Sequence, residues 1–252
     1  MQFFIQKYKT TTMQRIQDSV SRGYFYHTSG QCPPEKIMNL VAKFDELYEV
    51  NLNRNQRAYR RKKGQAVVQL FIYPHHEKKY FLWWLLATNG EHLIHKRESL
   101  KDVRKKSFRL KWNDEFQLVR LPKEDGEPTW TWSFTKANKH TWERRIQIAV
   151  KFKDKFKMRQ ALYSLARMPG FRGIRNTSFE LAKKFKTQWD RIMSDKEQEK
   201  AVNFWSKLTN HSKTNKHIPM RISYLRKQPD DFIGLSLAVE RMIVDKKAIP
   251  NK

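Results

Sequence analysis

Two apolar segments decide the fold of this chain: AVVQLFIY at residues 66–73 and YFLWWLLAT at residues 80–88. Both are rich in the β-branched and aromatic residues that are typical of strands. The connector between them, PHHEKK, has hairpin length. We therefore expect a β-hairpin at residues 66–88.

Helices and strands are both predicted on either side of this hairpin. Residues 2–8 indicate a short strand, and residues 13–20 have the helical spacing of apolar side chains, ending at Arg22 and Gly23. Pro33 and Pro34 open a second helix. Further strands are predicted after the hairpin at residues 108–112, 116–121 and 130–134.

The pattern changes to helix near residue 135 and is interrupted at Pro169-Gly170. This order predicts an α+β protein with a sheet-rich first half and a helix-rich second half. We expect a strand-rich basic domain at residues 1–135 and a mainly helical part at residues 136–252. The second part is expected to contain a late strand at 218–225 and a closing helix from residue 232.

The composition indicates a folded partner of a polyanion. The 252 residues include 52 Lys and Arg against 25 Asp and Glu, a formal net charge of +27, with 39% hydrophobic residues. A single cysteine, Cys32, excludes an intramolecular disulfide and argues against a cysteine-based zinc site. The longest apolar run is far below the ~20 residues of a membrane span. We expect a cytoplasmic nucleic-acid-binding protein without metal, cofactor or membrane partner.

The strongest local signal is NLNRNQRAYRRKKG at residues 51–64, which contains no acidic residue. On a helix, Arg54, Arg57 and Arg61 share one face, and guanidinium groups bind phosphate in a bidentate geometry. Contact with nucleic acid is expected from six cations of this segment: Arg54, Arg57, Arg60, Arg61, Lys62 and Lys63.

Two further basic segments lie in the second half. Lys151 and Lys155 belong to KFKDKFK, which is either a contact to nucleic acid or a solvated helix face. Arg172 and Arg175 belong to PGFRGIR, where amides freed by glycines could approach a phosphate. The same segment is also typical of a helix-to-helix turn with a glycine C-cap.

His27 lies just after the first helix, close in sequence to Arg22, and we expect a hydroxyl-rich turn to follow it. In a metal-independent ribonuclease, a base removes the 2′-hydroxyl proton, and Arg or Lys stabilises the charge that develops on the phosphate. His27 and Arg22 are chemically suited to these two roles. Clustered carboxylates for a two-metal nuclease are absent from the sequence.

The opening strand and helix (MQFFIQKY, MQRIQDSVSRG), the arginine-rich helix (NRNQRAYRRKKG) and the basic loop PGFRGIR together resemble the CRISPR repeat-processing endoribonucleases of the RAMP superfamily, especially the plasmid-associated type IV variant. The resemblance implies a ferredoxin-like fold of RNA-recognition type and metal-independent cutting of a repeat hairpin. It also implies that the protein retains its RNA, with other subunits, in a ribonucleoprotein complex. Arg22 and Arg241 would flank the scissile phosphate.

A second interpretation uses the same charge without cutting. A DNA-binding accessory protein of a plasmid or other mobile element would insert the helix at residues 51–64 into a major groove. Charge alone separates neither RNA from DNA nor cutting from binding.

Overall fold

The computed structural model describes residues 3–75, 77, 79–123, 126–192 and 232–247. These residues form an α+β structure with sheets in the first half and helices dominating the second, which confirms the predicted class. The chain divides into two compact units. The first contains the described residues up to Leu110 and those from 232 onward, and the second begins at Lys111.

Strands and helices are interspersed in the first unit, whereas the second begins with strands and continues with helices. The elements are β1 (Phe4–Gln6), α1 (Lys9–Ser21), β2 (Tyr26–Cys32), α2 (Pro34–Tyr48), α3 (Arg54–Lys62), β3 (Val68–His75), β4 (Tyr80–Ala87), α4 (Ile94–Arg97), β5 (Lys101–Asp102), a 3₁₀ turn (Lys106–Phe108), β6 (Lys111–Trp112), β7 (Phe116–Lys123), β8 (Gly126–Phe134), α5 (Lys136–Lys151), α6 (Lys155–Ala166), α7 (Arg172–Ile192), β9 (Phe232–Gly234) and α8 (Leu235–Lys247). The opening strand, the first two helices and the basic helix are confirmed. The closing helix is present as α8, but it begins at Leu235 because residues 232–234 form β9.

The predicted hairpin lies within the main sheet of the first unit. β3 and β4 pair antiparallel from Val68 opposite Ala87 to His75 opposite Tyr80. The strand order is β3-β4-β2-β5, so β4 is paired on both sides. The hairpin prediction is therefore confirmed.

β2 is a strand that the sequence analysis did not predict. It pairs along its whole length with β4, and it includes the segment where a hydroxyl-rich turn was expected after His27. That expectation was wrong, because Gly30 makes room for a neighbouring side chain. A Cβ on Gly30 would lie 2.7 Å from the ring of Trp83, its partner on β4.

The core of the first unit joins its sheet to α2 and α8. Ile37 and Phe44 contribute from α2, and Leu235 and Met242 contribute from α8. β9, directly before α8, pairs antiparallel with β1. Residues from β1 and from α8 therefore contribute to the same core.

The order of elements in the first unit differs from a ferredoxin-like arrangement, which is β-α-β-β-α-β. Two helices, α2 and α3, separate β2 from β3. The described strand pairs of this unit are all antiparallel. The predicted α+β class is therefore present, but the first unit does not have the ferredoxin-like order of elements.

The second unit contains a three-stranded meander, β6-β7-β8, with α7 packed against β8. Trp132 on β8 and Trp189 on α7 are almost completely buried. The strand predicted at residues 108–112 is shortened to β6, because the chain first makes a 3₁₀ turn. Thr135, near the predicted domain boundary, lies inside this unit and caps α5 by accepting a hydrogen bond from the Asn138 N–H.

None of the helices in the described ranges is long and apolar enough to cross a membrane. The late strand predicted at residues 218–225 lies outside the described residues.

Candidate nucleic-acid interface

α3 is a cationic helix at the surface of the first unit. It begins with a capping box, in which the Asn53 side chain accepts a hydrogen bond from the Gln56 N–H and the Gln56 side chain accepts one from the Asn53 N–H. None of the residues of α3 is buried. Arg54, Lys62 and Lys63 are exposed. Because burial contributes little to this short helix, its cap and its side-chain contacts must hold it in place.

Arg60 anchors α3 to the rest of the unit. Its guanidinium group donates to Glu49 Oε1 at 2.6 Å and to Gln65 Oε1 at 3.0 Å, on the segments before and after the helix. Arg57 is half-buried, and its Nε is buried without a hydrogen-bond partner. Of the six predicted cations, Arg60 has a structural role, because its guanidinium group is held by Glu49 and Gln65.

The aromatic segment after α1 supports two arginines. The guanidinium carbon of Arg61 lies 4.9 Å from the centre of the Tyr24 ring. The guanidinium carbon of Arg104, which follows β5, lies 4.6 Å from the centre of the Phe25 ring and 5.8 Å from that of Tyr26. Stacking over Tyr24 leaves the N–H groups at the edge of the Arg61 guanidinium able to bind an anion. In Arg104, the Nε and Nη2 groups are held by Asp102, so this arginine contributes its charge and its stacked plane.

Arg22, Arg61 and Arg104 line one cavity of about 390 Å³, which we call the arginine cavity. They come from the end of α1, from α3 and from the segment after β5, and all three are exposed. The other described lining residues are Gly23, Phe25, Gly64, Gln65, Thr88 and Asn89. No acidic side chain belongs to this described lining.

Asp102 orients Arg104 at the edge of the arginine cavity. Arg104 Nε donates to Asp102 Oδ1 at 2.9 Å, and Arg104 Nη2 donates to Asp102 Oδ2 at 2.8 Å. These hydrogen bonds hold the pKa of Asp102 below its usual value, so the carboxylate is ionised at neutral pH. Three arginines beside one carboxylate leave a net positive charge that suits a phosphate.

His27 is a core residue and does not line the arginine cavity. It is 4% exposed, and its Nε2 donates to the Phe108 carbonyl at 2.7 Å. Burial lowers the pKa of His27, and its Nδ1 is buried without a partner in the described part of the chain. Because a catalytic base must reach its substrate, this position does not suit the predicted role.

Several predicted residues are not among the described lining of the arginine cavity. Arg241 is exposed on α8 and is not a lining residue, so the described structure does not bring it to Arg22 there. In the second unit, Lys151 ends α5, Lys155 begins α6 and Arg175 lies in the first turn of α7.

Arg172 joins the start of α7 to the strands of the second unit. Its guanidinium group donates to the carbonyls of Leu121 and Pro122 at 2.8 and 2.9 Å, and to the Thr129 hydroxyl at 3.1 Å. These donors are engaged within the protein. We therefore assign Arg172 a structural role and leave it out of the candidate interface.

Gly173 lets the first turn of α7 approach β8. Its N–H donates to the Thr131 hydroxyl at 3.2 Å, and a Cβ at this position would lie 2.6 Å from the Trp132 carbonyl oxygen. PGFRGIR is therefore the start of a helix packed on a sheet. The Gly173 amide already has a protein acceptor and does not offer its N–H to a phosphate.

Two groups that contribute to the arginine cavity were missed by the sequence analysis: Arg104 and Phe25. The available signals were the basic run KDVRKK at residues 101–106 and the aromatic triplet at residues 24–26. Nothing in the sequence pairs these segments, because the sheet brings them together through the contact of β2 with β5.

In the described part of the chain, no group of three or more His, Cys, Asp or Glu side chains forms a metal site. His95 Nε2 instead donates to the Thr88 carbonyl at 3.0 Å, and His92 Nδ1 accepts from the Ile94 N–H at 3.2 Å.

No protein-family model, curated protein or solved structure matches this chain. The resemblance to repeat-processing endoribonucleases therefore remains a prediction from the quoted motifs. Function has to be argued from the site, which belongs to a basic α+β protein with an arginine-lined cavity beside a cationic helix.

Proposed function

We propose that this protein binds RNA, using α3 against the RNA backbone and the arginine cavity for the phosphate of an unpaired nucleotide. The observation that carries the proposal is the convergence of Arg22, Arg61 and Arg104 on one cavity with no acidic residue in its described lining. Guanidinium groups bind phosphate oxygens through paired hydrogen bonds. The net charge of +27 adds long-range attraction to a polyanion.

The cavity favours an unpaired nucleotide over a regular duplex. Its volume of about 390 Å³ is in the range of small-ligand sites. The guanidinium plane of Arg104, which itself lies over the Phe25 ring, offers a surface on which a base can stack. RNA loops, bulges and ends present such unstacked nucleotides, whereas a continuous duplex keeps its bases stacked. We expect an RNA hairpin with unpaired nucleotides as ligand, in a cytoplasmic ribonucleoprotein complex with other subunits.

Metal-independent cutting of this RNA is a second candidate function, favoured by the position of Arg22 beside Arg61 and Arg104 in the cavity lining. Such groups stabilise the charge that develops on phosphate oxygens during transfer to a 2′-hydroxyl. With His27 buried, water would have to accept the 2′-hydroxyl proton and return a proton to the departing 5′-oxygen, while the bound RNA aligns the hydroxyl. Processing and retention of CRISPR repeat RNA would use this activity.

Binding is tested by fluorescence anisotropy over a range of salt concentrations. The probes are an RNA hairpin with a single-stranded overhang, a fully paired RNA and a DNA duplex. R22Q/R61Q should weaken hairpin binding and lower the slope of log K against log salt by about 1.4, since each single-strand phosphate contact contributes about 0.7. K36Q/K43Q removes equal charge from exposed positions on α2 and serves as the control.

Equal loss of affinity in R22Q/R61Q and K36Q/K43Q would contradict the assignment of the cavity. Tighter binding of the DNA duplex would favour the DNA-binding accessory protein. Cutting is tested with labelled hairpin RNA in the presence of EDTA. A 2′,3′-cyclic phosphate product that R22Q/R61Q fails to form would support cleavage, and intact RNA would leave binding as the function.

A further inference from the structure

The second unit presents exposed aromatic side chains on two strongly cationic helices, α5 and α6. Residues 144–167 contain eight Lys and Arg but one acidic residue, Asp154. Phe152 is 67% exposed, Phe156 is 75% exposed and Tyr163 is 56% exposed. Large apolar side chains that are exposed together mark an interaction surface.

The turn between α5 and α6 is closed by a helix cap, with Phe152 and Phe156 exposed beside it. Lys153 adopts a φ of 49° in this turn. Asp154 Oδ1 then accepts a hydrogen bond from the Lys157 N–H at 2.9 Å and caps α6. Phe152 directly precedes this capped turn in the chain, and Phe156 lies in the first turn of α6.

A groove of about 340 Å³ lies between α5 and α6. Its lining combines apolar, cationic and hydrogen-bonding side chains: Trp142, Arg145, Ile148, Lys157, Gln160, Ala161 and Ser164. The cations and the aromatic side chains of this unit are also paired. The Arg145 guanidinium carbon lies 5.1 Å from the centre of the Trp142 ring, and that of Arg167 lies 5.0 Å from the centre of the Tyr163 ring.

We propose that Phe152, Phe156 and the groove cations Arg145 and Lys157 form a binding site for single-stranded nucleic acid, which we call the aromatic turn site. Bases would stack on the exposed rings while the cations hold the phosphates, the combination that sequence-tolerant single-strand binding requires. An acidic peptide would need the cations but not two exposed rings. A membrane surface would need a continuous apolar stripe, which the basic side chains of KFKDKFK interrupt.

The site is tested in the full chain with a fluorescent oligouridine as probe. F152A/F156A should weaken oligouridine binding by roughly fivefold or more for each ring that stacks a base. The salt dependence of binding should stay unchanged, because no charge is removed. F152Y/F156Y should retain affinity and F152L/F156L should lose it, since tyrosine keeps a flat ring and leucine keeps only apolar area.

Unchanged oligouridine affinity in F152A/F156A would overturn the proposal, as would full affinity in F152L/F156L. Vesicles of anionic phospholipid are a second probe, and loss of vesicle binding with unchanged oligouridine binding would assign the rings to a membrane surface. Because the aromatic turn site shares no residue with the described lining of the arginine cavity, F152A/F156A should cause the same fold loss in an R22Q/R61Q background. A loss that disappears in that background would also contradict the proposal.

Discussion

The guanidinium carbon of Arg61 lies 4.9 Å from the centre of the Tyr24 ring, so the last turn of α3 rests on the aromatic segment that follows α1. Tyr24 is 2% exposed, and its ring is therefore fixed by the core. This contact holds Arg61 at the arginine cavity before an anion arrives. A side chain that is already oriented loses less conformational entropy on binding.

Arg61→Lys should weaken RNA binding by about two- to fivefold, because lysine keeps the charge but loses the planar stacking worth about 0.5–1 kcal/mol. The salt dependence of binding should remain that of the wild type. Anisotropy with the RNA hairpin measures both quantities. Lys62→Arg, at the next position, which is also exposed, is the control and should bind as the wild type does. Unaltered affinity in Arg61→Lys would mean that charge alone acts here.

Asn53→Ala should weaken RNA binding without changing the midpoint of global unfolding. The substitution removes the cap of a helix with no buried residue, at a cost of about 1 kcal/mol to that helix. Hydrogen exchange of the α3 amides should become faster, and anisotropy should report the lower affinity. Asn53→Ser keeps a neutral capping acceptor and is the matched control. A cooperative loss of stability in Asn53→Ala would show that α3 is coupled to the core more strongly than its contacts indicate.

His27→Gln should remove part of the loss of stability in mild acid. Burial lowers the pKa of His27 from 6.5, so the unfolded chain takes up the proton more readily than the folded protein. The contribution of neutral His27 to stability is therefore present above about pH 6.5 and is lost as the pH falls toward the folded pKa. Glutamine keeps a donor for the Phe108 carbonyl and does not titrate.

Urea unfolding at about pH 7 and about pH 5 measures this effect. The free energy of unfolding of His27→Gln, relative to the wild type, should increase at the lower pH. A difference that is the same at both pH values would contradict the assignment. RNA binding should be unaffected, because His27 does not line the arginine cavity.

Arg172→Ala should lower the free energy of unfolding by about 1–3 kcal/mol while leaving RNA affinity nearly unchanged. The substitution leaves two backbone carbonyls, those of Leu121 and Pro122, without the charged donor that they have in the wild type. Thermal unfolding and anisotropy separate the two effects. Lys183→Ala, at an exposed position later on α7, should alter neither by much. A large loss of RNA affinity at wild-type stability would return Arg172 to the interface.

The elements that the sequence predicted correctly are those whose signals are local. The β3–β4 hairpin has two uninterrupted apolar runs, and α2 has a proline start followed by an apolar face. β2 has neither, because Ser29 and Gly30 resemble a turn until Trp83 of the neighbouring strand is known. Packing across strands decided that element, and such packing cannot be derived from a periodicity.

Like the fold, the candidate site was predictable only where its signals are local in the sequence. Arg61 was found from the density of charge in α3, and Arg22 from its position after α1. The role of Arg104 depends on Phe25 and Asp102, which only the fold brings to it. Arg172 illustrates the opposite case, a residue that the sequence placed in the site and the structure does not. Its guanidinium group is hydrogen-bonded to the neighbouring strands.

The pairing of β1 with β9, Phe4 opposite Gly234, also has a consequence for synthesis of the chain. A ribosome that adds ~5–20 residues per second would complete β9 roughly 10–50 s after β1. The second unit has its described elements between these two strands, so it can reach its native state while the first still lacks a strand and a helix. During that interval the apolar surface later covered by α8 is accessible to chaperones, and β9 and α8 must both be synthesised before the first unit can close.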